Sequence, residues 1–224
     1  MSRPVIDSGI GRCTGTAGEI HALDPFSEWP ASGMTAVWCD FTTPAIVLGS
    51  RQSPDLLDLD ACLREGLSIV RRRSGGGSVV LRPADMMWID LVVPIATAWV
   101  TDDVRASMIW AGERWRTALQ PLVDGELSVH SGGMVRSAWS DLVCFAGLGP
   151  GEVLLDGEKL VGLSQRRTRA GLRIQGLVHH RRPPPTDRDL FLGPRPDDAI
   201  PPVATLGSEY SAELVCHRLA NTTS

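Results

Sequence analysis

The segment Met86-Met87-Trp88-Ile89-Asp90-Leu91-Val92-Val93 restricts this chain more than any other stretch. Successive residues of a strand point to opposite faces, and here both sets are apolar apart from Asp90. Such a strand is expected in the middle of a sheet, covered on both sides. It is not a bilayer span, because the apolar run to Ala96 is short and is interrupted by Asp90 and Pro94.

The neighbouring segments supply partners for it. Residues 15–24 are predicted as a short first helix, and Met34 to Phe41 and Ala45 to Leu48 as strands broken at Thr43-Pro44. Leu56 to Glu65 reads as a helix stopped by Gly66. Leu67 to Arg71 and Ser78 to Leu81 are short strands on either side of a glycine run. A helix over Asp102 to Gln120 is predicted, capped by Thr101, with Asp102 and Asp103 at its positive end. Val104, Met108, Ala111, Trp115 and Ala118 share its buried face. Glu152 to Leu155 and Lys159 to Ser164 flank the turn Asp156-Gly157 as a β-hairpin. Leu172 to Val178 extends it after Ala170-Gly171.

Beyond His180 the composition changes. Arg181-Arg182-Pro183-Pro184-Pro185 is a stiff connector. Asp187 to Leu192 forms one helical turn, 194–202 is proline-rich, and Ser208 to Leu219 is a closing helix. The fold class is α+β. One domain is expected over 1–224, with a core at about 15–180 and a tail at 181–224 that packs back.

The net charge of −4 gives no basis for nucleic-acid or membrane-surface binding. Met1 to Arg12 contains no apolar stretch of signal-peptide type. Five cysteines, at 13, 39, 62, 144 and 216, are odd in number and show no C-x-x-C spacing. That pattern suits a reducing cytoplasm and excludes a disulfide framework or zinc ribbon. Adjacent His179 and His180 point to opposite faces of a strand, so no metal site is expected there.

Three constellations can carry chemistry. Arg71-Arg72-Arg73-Ser74-Gly75-Gly76-Gly77 combines cationic side chains with a backbone free to approach an anion. Lys159 is the only lysine in a chain with 22 Lys and Arg, so it is a candidate for a role arginine cannot fill. It follows a hairpin turn and precedes Gly162, which leaves room against the strand. Strict alternation puts Lys159 and Ser164 on opposite faces, and a bulge near Gly162 would bring them together. Cys144 is either a buried inert thiol or a nucleophile.

These residues, in this order, resemble the lipoate–protein ligase and octanoyltransferase family, whose fold is shared with biotin–protein ligases. Arg71 to Gly77 is similar to its Arg-Arg-x-Ser-Gly-Gly-Gly segment. Gly157, Lys159, Gly162 and Gln165 match Gly-x-Lys-x-x-Gly-x-x-Gln. Val47 to Gln52 is similar to its Leu-Gly-Arg-x-Gln stretch. The Gly-Arg-Gly-Arg pattern of biotin ligases is not found.

The resemblance implies a mixed, largely antiparallel sheet flanked by helices; the C-terminal accessory domain of the large ligases is not expected here, which is a departure from them. It implies a substrate and nucleotide site formed by Arg71, Arg72, Ser74, Gly75, Gly76, Gly77, Ser78, Gly162, Ser164, Gln165 and Gln175. Lys159 would be catalytic, neutralising acyl and phosphoryl charge. A ligase would use ATP and magnesium to activate lipoate, octanoate or a similar acid, then pass it to a lysine of a lipoyl-carrier domain. A transferase would take the acyl group from an acyl carrier protein through a Cys144 thioester, with no ATP and no cofactor. Cys144 lies fifteen residues before Lys159, which is similar to the spacing in such transferases. Leu81 and Arg82 stand where the family follows its glycines with a histidine and an acidic residue or glycine. Gln175-Gly176 stands in place of His-Gly. A third reading is therefore a catalytically degenerate relative that binds an acyl or nucleotide ligand.

Overall fold

A computed structural model describes residues 9–29, 32–97, 103–193 and 196–222. The apolar run forms β6 (Met86–Pro94), and each residue from Met86 to Val93 is buried. It lies between β2 (Thr35–Phe41) and β10 (Gly171–His179), antiparallel to both. The sheet continues through β9 (Glu158–Arg167) and β8 (Val153–Leu155) to β7 (Leu127–Val129), all antiparallel. At its other edge β1 (Ile10–Gly15) runs parallel to β2, giving seven strands in the order β1-β2-β6-β10-β9-β8-β7. A smaller sheet has the order β4-β3-β5, with β3 (Ala45–Leu48) parallel to β4 (Ser68–Arg71) and antiparallel to β5 (Val79–Leu81).

Helices cover the outer face of the large sheet. Met108, Ala111, Trp115 and Ala118 of α4 (Val104–Leu119) pack with Val215, Cys216 and Leu219 of α5 (Ala212–Asn221) over Ile89, Leu91, Leu160, Val161 and Ile174. Val104 does not join this face: it is 55% exposed, one residue from the cap, where the helix has not yet met the sheet. Asp103 is the cap, its carboxylate accepting from Arg105 N and Ala106 N. The predicted cap Thr101 and the start at Asp102 lie outside the described residues. A second core fills the space between the sheets, with Val37, Val47, Val79, Trp88, Val92 and Phe145.

The expected helix at 15–24 is divided. Ile10–Gly15 becomes β1, and helix α1 (Ala17–Ala22) starts at Thr16. Thr16 and Glu19 form a reciprocal capping box, which sets the start. A four-residue helix α2 (Pro25–Glu28) follows, capped by Asp24. Helix α3 (Leu59–Arg64) is shorter than predicted because Ser53-Pro54 first makes a 3₁₀ turn. Gly66, at φ +66°, ends it in the left-handed region. Among the described residues no helix is long and apolar enough to cross a membrane.

Candidate functional site

The glycine run lies between β4 and β5, and its shape is fixed by Arg72. This side chain is 4% exposed. Its guanidinium donates to Gly75 O at 2.8 Å, Gly77 O at 2.7 Å and Val47 O at 3.4 Å. Arg72 therefore braces the loop. Gly76 has φ +97°, a conformation a side chain would strain. A Cβ on Gly49 would collide with Gly76 O, which explains a glycine after Leu48. Arg71 is exposed at the end of β4 and does not line the cleft described below. Arg73 turns to a separate hollow. Three adjacent arginines thus have three destinations.

Ser78 also serves the backbone. Its Oγ donates to Leu142 O at 2.7 Å, and its carbonyl accepts from Cys144 N at 2.8 Å. Gln52 Nε2 donates to Asp141 O and Leu142 O, while its Oε1 accepts from Gly49 N. The turn after β3, the glycine run and the segment at 141–144 form one wall.

The opposite wall is the β8–β9 hairpin. Asp156 at φ 50° and Gly157 at φ 85° make the two-residue turn. In the β8–β9 ladder Val153 pairs with Val161 but Leu154 pairs with Lys159, so Leu160 is an extra residue. Leu160 and Val161 both enter the helix-side core, and Lys159 shares the other face with Gly162 and Ser164. The bulge is two residues earlier than Gly162.

Lys159 is 6% exposed. Its Nζ lies 2.7 Å from Glu152 Oε1 and donates to Gly147 O at 2.9 Å and Cys144 O at 3.1 Å. These three oxygens use all of its donors. The Phe145 ring lies beneath it, 4.8 Å from Nζ to centroid. Glu152 is equally engaged, accepting from Leu163 N and Gly149 N. The space expected at Gly162 is taken by Phe145: a Cβ there would come within 2.7 Å of the ring.

Between the walls is a cleft of about 1000 Å³. Gly75, Gly76, Gly77, Cys144, Glu152, Ser164 and Gln165 line it. Both amide atoms of Gln165 are buried without a hydrogen-bond partner, so this side chain is open to a polar ligand. Arg51, Arg105 and Arg136 stand at the rim. Arg136 pairs with Asp141 at 2.6 Å and Arg105 donates to Ser131 O. Arg105 and Arg136 carried no signal in the sequence, since only the folded chain brings them to the rim.

At Cys144 and Ser164 the cleft adjoins a narrow apolar sleeve of about 30 Å³. Val47, Val79, Leu81, Trp88, Gly162 and Leu177 line it. At its end Ser74 Oγ donates to Ser164 Oγ at 3.2 Å and lies 3.4 Å from Gln175 Oε1. Gln175 Nε2 lies 3.4 Å from His21 Nδ1. The His21 ring stacks 4.6 Å from Trp88, and burial, then Arg173 and Arg72, push its pKa down to about 3. Of the departures from the family pattern, Leu81 and Gln175 both face this sleeve, whereas Arg82 pairs with Asp187 at 2.7 Å.

Residues 34–180 match the family described as the lipoyl protein ligase A/B catalytic domain, more than half of the chain. The chain belongs to this family. Among solved structures, a bi-partite lipoate protein ligase of Thermoplasma acidophilum, studied with its E2 lipoyl domain, aligns with a TM-score of 0.64. The identity is 14%, over 94% of this chain and 79% of that one. A lipoate–protein ligase A bound with ATP gives 0.60 and 14%, over 83% and 69%. LipL1 of P. falciparum in complex with lipoate gives 0.57 and 13%, over 83% and 47%. At these identities the likeness is one of fold. No curated protein matches the chain.

Proposed function

We propose that this chain is a lipoate–protein ligase-like enzyme that activates lipoate, octanoate or a similar acid and transfers it to a carrier lysine. One observation carries the reading: a polar cleft and an apolar sleeve meet at Cys144 and Ser164. At about 30 Å³ the sleeve admits an acyl chain only as its lining side chains move apart, which would leave the carboxylate at the junction and the cleft for a nucleotide. The ATP-bound relative supports nucleotide use by this fold.

In the first step a carboxylate oxygen attacks the α-phosphorus of ATP, and pyrophosphate leaves. The Gly75–Gly77 backbone and Gln165 hold oxygens of the mixed anhydride. Lys159 neutralises carboxylate and phosphoryl charge by exchanging one of its three oxygen partners for a substrate oxygen. In the second step the carrier lysine amine, having lost its proton, attacks the acyl carbon and AMP leaves. The E2 lipoyl domain studied with the Thermoplasma ligase supports a carrier of this type. Among the described residues no three His, Cys, Asp or Glu side chains converge on a metal position. Magnesium would therefore be held largely by the phosphates themselves.

The test is acyl-dependent ATP–pyrophosphate exchange with a panel of fatty and dithiolane acids. Exchange lost in Lys159→Met/Glu152→Gln, which strands no buried carboxylate, with a wild-type circular-dichroism spectrum supports the reading, and no exchange by the wild type with any acid sinks it. In that event, retained binding of acid or nucleotide would indicate a non-catalytic relative.

The position of Cys144 favours a second reading. It is half-buried at the junction of cleft and sleeve, while its carbonyl is held by Lys159. Its thiolate would attack an acyl thioester, the donor thiol would leave, and the carrier lysine would then take the acyl group. A hydroxylamine-sensitive acyl adduct on Cys144, with transfer abolished in Cys144→Ser, distinguishes this from the adenylate route.

A further inference from the structure

Arg73 belongs to the arginine–glycine segment yet neither braces the loop nor lines the cleft. It borders a hollow of about 340 Å³ together with Arg166, Arg169 and Arg173. Asp24, Phe26 and Thr168 are also at its edge. Arg173 is compensated, with Nε 2.6 Å from Asp90 Oδ2 and Nη2 on Ile20 O. The other three are not. Among the described residues, none of the guanidiniums of Arg73, Arg166 and Arg169 makes an ion pair or a hydrogen bond.

The nearest carboxylate is already used. Asp24 accepts from Phe26 N at 3.3 Å and Ser27 Oγ at 2.8 Å as the cap of α2. Partial burial and the neighbouring Arg73 and Arg173 charges push the Arg166 group down from its ordinary value, against a smaller opposing pull from Asp24. Like charges this close repel, and a folded chain usually places acids among them. This chain has 26 Asp and Glu against 22 Lys and Arg, yet pairs none with these three. The missing anions are expected on a partner.

Position and shape indicate which partner. Arg166 lies two residues beyond Ser164 on β9, about 7 Å along the strand. Arg73 directly precedes Ser74, which bonds Ser164. The hollow therefore adjoins the substrate site, Arg166 directly following Gln165 of the cleft lining. Arg73 and Arg169 are exposed, and the three cations come from three segments: the loop after β4, β9 and the β9–β10 turn. Such a spread suits several carboxylates on a protein surface better than one phosphate, which convergent buried donors would grip.

We propose that the Arg73–Arg166–Arg169 hollow docks an acidic face of the carrier domain while the carrier's lysine reaches the cleft. The assignment rests on the acyl-transfer reading above. Docking positions the acceptor and steers its approach, and it is screened by salt.

The test uses the full chain and a recombinant E2 lipoyl domain with a net negative surface. In Arg73→Glu/Arg166→Glu, the KM for the lipoyl domain rises at least about tenfold. Acyl-dependent pyrophosphate exchange, which needs no carrier, stays at the wild-type level, and this also reports a folded protein. Calorimetric binding of the lipoyl domain, measured without acid or ATP, weakens in parallel and loses its salt dependence. A lipoyl domain with acidic surface residues changed to lysine recovers binding to the double variant. Arg73→Gln/Arg166→Gln gives a smaller loss in the same direction. Unchanged KM and unchanged calorimetric affinity in the double variant overturn the proposal. So does a hollow that takes up inorganic phosphate without any effect on the lipoyl domain. If the wild type shows neither exchange nor transfer, the catalytic reading fails, while the calorimetric comparison still decides the docking surface.

Discussion

Arg72 and Lys159 lie behind opposite walls of the cleft without lining it, both buried, both donating to backbone carbonyls. The Lys159 wall also supplies a carboxylate: Glu152 lies 2.7 Å away and is itself fully hydrogen-bonded. The Arg72 wall supplies carbonyl oxygens only, and among the described residues no carboxylate pairs with its guanidinium. The lysine charge is therefore neutralised where it sits, and the arginine charge is not. An anionic ligand in the cleft therefore meets the rim arginines and an uncompensated cation behind the glycine loop. The lysine becomes available only as a substrate oxygen displaces one of its partners.

The largest expected effect tests this difference directly. Lys159→Ala strands the Glu152 carboxylate in the interior and should lower stability by about 3–5 kcal/mol, read from urea unfolding. Removing both charges, in Lys159→Met/Glu152→Gln, should cost less than the sum of the single changes. Additive losses would mean that the pair is not coupled.

Each wall also holds a histidine under its cation, and pH reads them separately. His21 is depressed to about 3, chiefly by burial, with Arg173 and Arg72 adding to it. His179 is depressed to about 4, again chiefly by burial, with Lys159 next. Both are neutral in the folded chain and protonate near pH 6.5 in the unfolded one. Their contribution is complete above pH 6.5 and declines as the pH falls, to about 4 for His179 and about 3 for His21. Over that window the unfolding free energy should drop by roughly 3 kcal/mol or more. Histidine NMR titration should show Lys159→Met raising the His179 midpoint and Arg72→Met raising that of His21. A shift of both by either change would erase the distinction between the walls.

Arg72→Met itself leaves Gly75 O and Gly77 O without a donor but strands no counter-charge. A loss of about 1–3 kcal/mol is expected in the same urea assay. A loss equal to that of Lys159→Ala would break the comparison. Gly162→Ala should cost a similar or smaller amount, about 1–3 kcal/mol, because its methyl must displace the Phe145 ring. The same variant should shorten the longest acid accepted in the exchange assay. The smallest stability effect, within about 0.5 kcal/mol, is expected for Cys144→Ser, since the half-buried thiol fills no closed core position.

The elements legible in the sequence were those set by local chemistry. Met86 to Val93 is a central strand because no face of it tolerates water. Asp156-Gly157 turns the chain because both residues adopt positive φ, and Gly76 opens the loop for the same reason. The family motifs lie on these elements, so the cleft residues at 75–77, 164 and 165 were readable before the fold was known. Strand β1 was not readable, since Ile10–Gly15 is held by its partner Ala36–Phe41 and has weak pattern of its own. Glu152 was read as the start of a strand, and its pairing with Lys159 depends on how β8 and β9 register. That register carries one extra residue at Leu160, which moves Lys159 to the face of Ser164. Arg71, Arg72 and Arg73 are identical side chains in a row, and the sequence alone assigned them one shared role. Their separate destinations, solvent, loop carbonyls and an uncompensated hollow, were decided by backbone direction and by carbonyls and charges brought from distant segments.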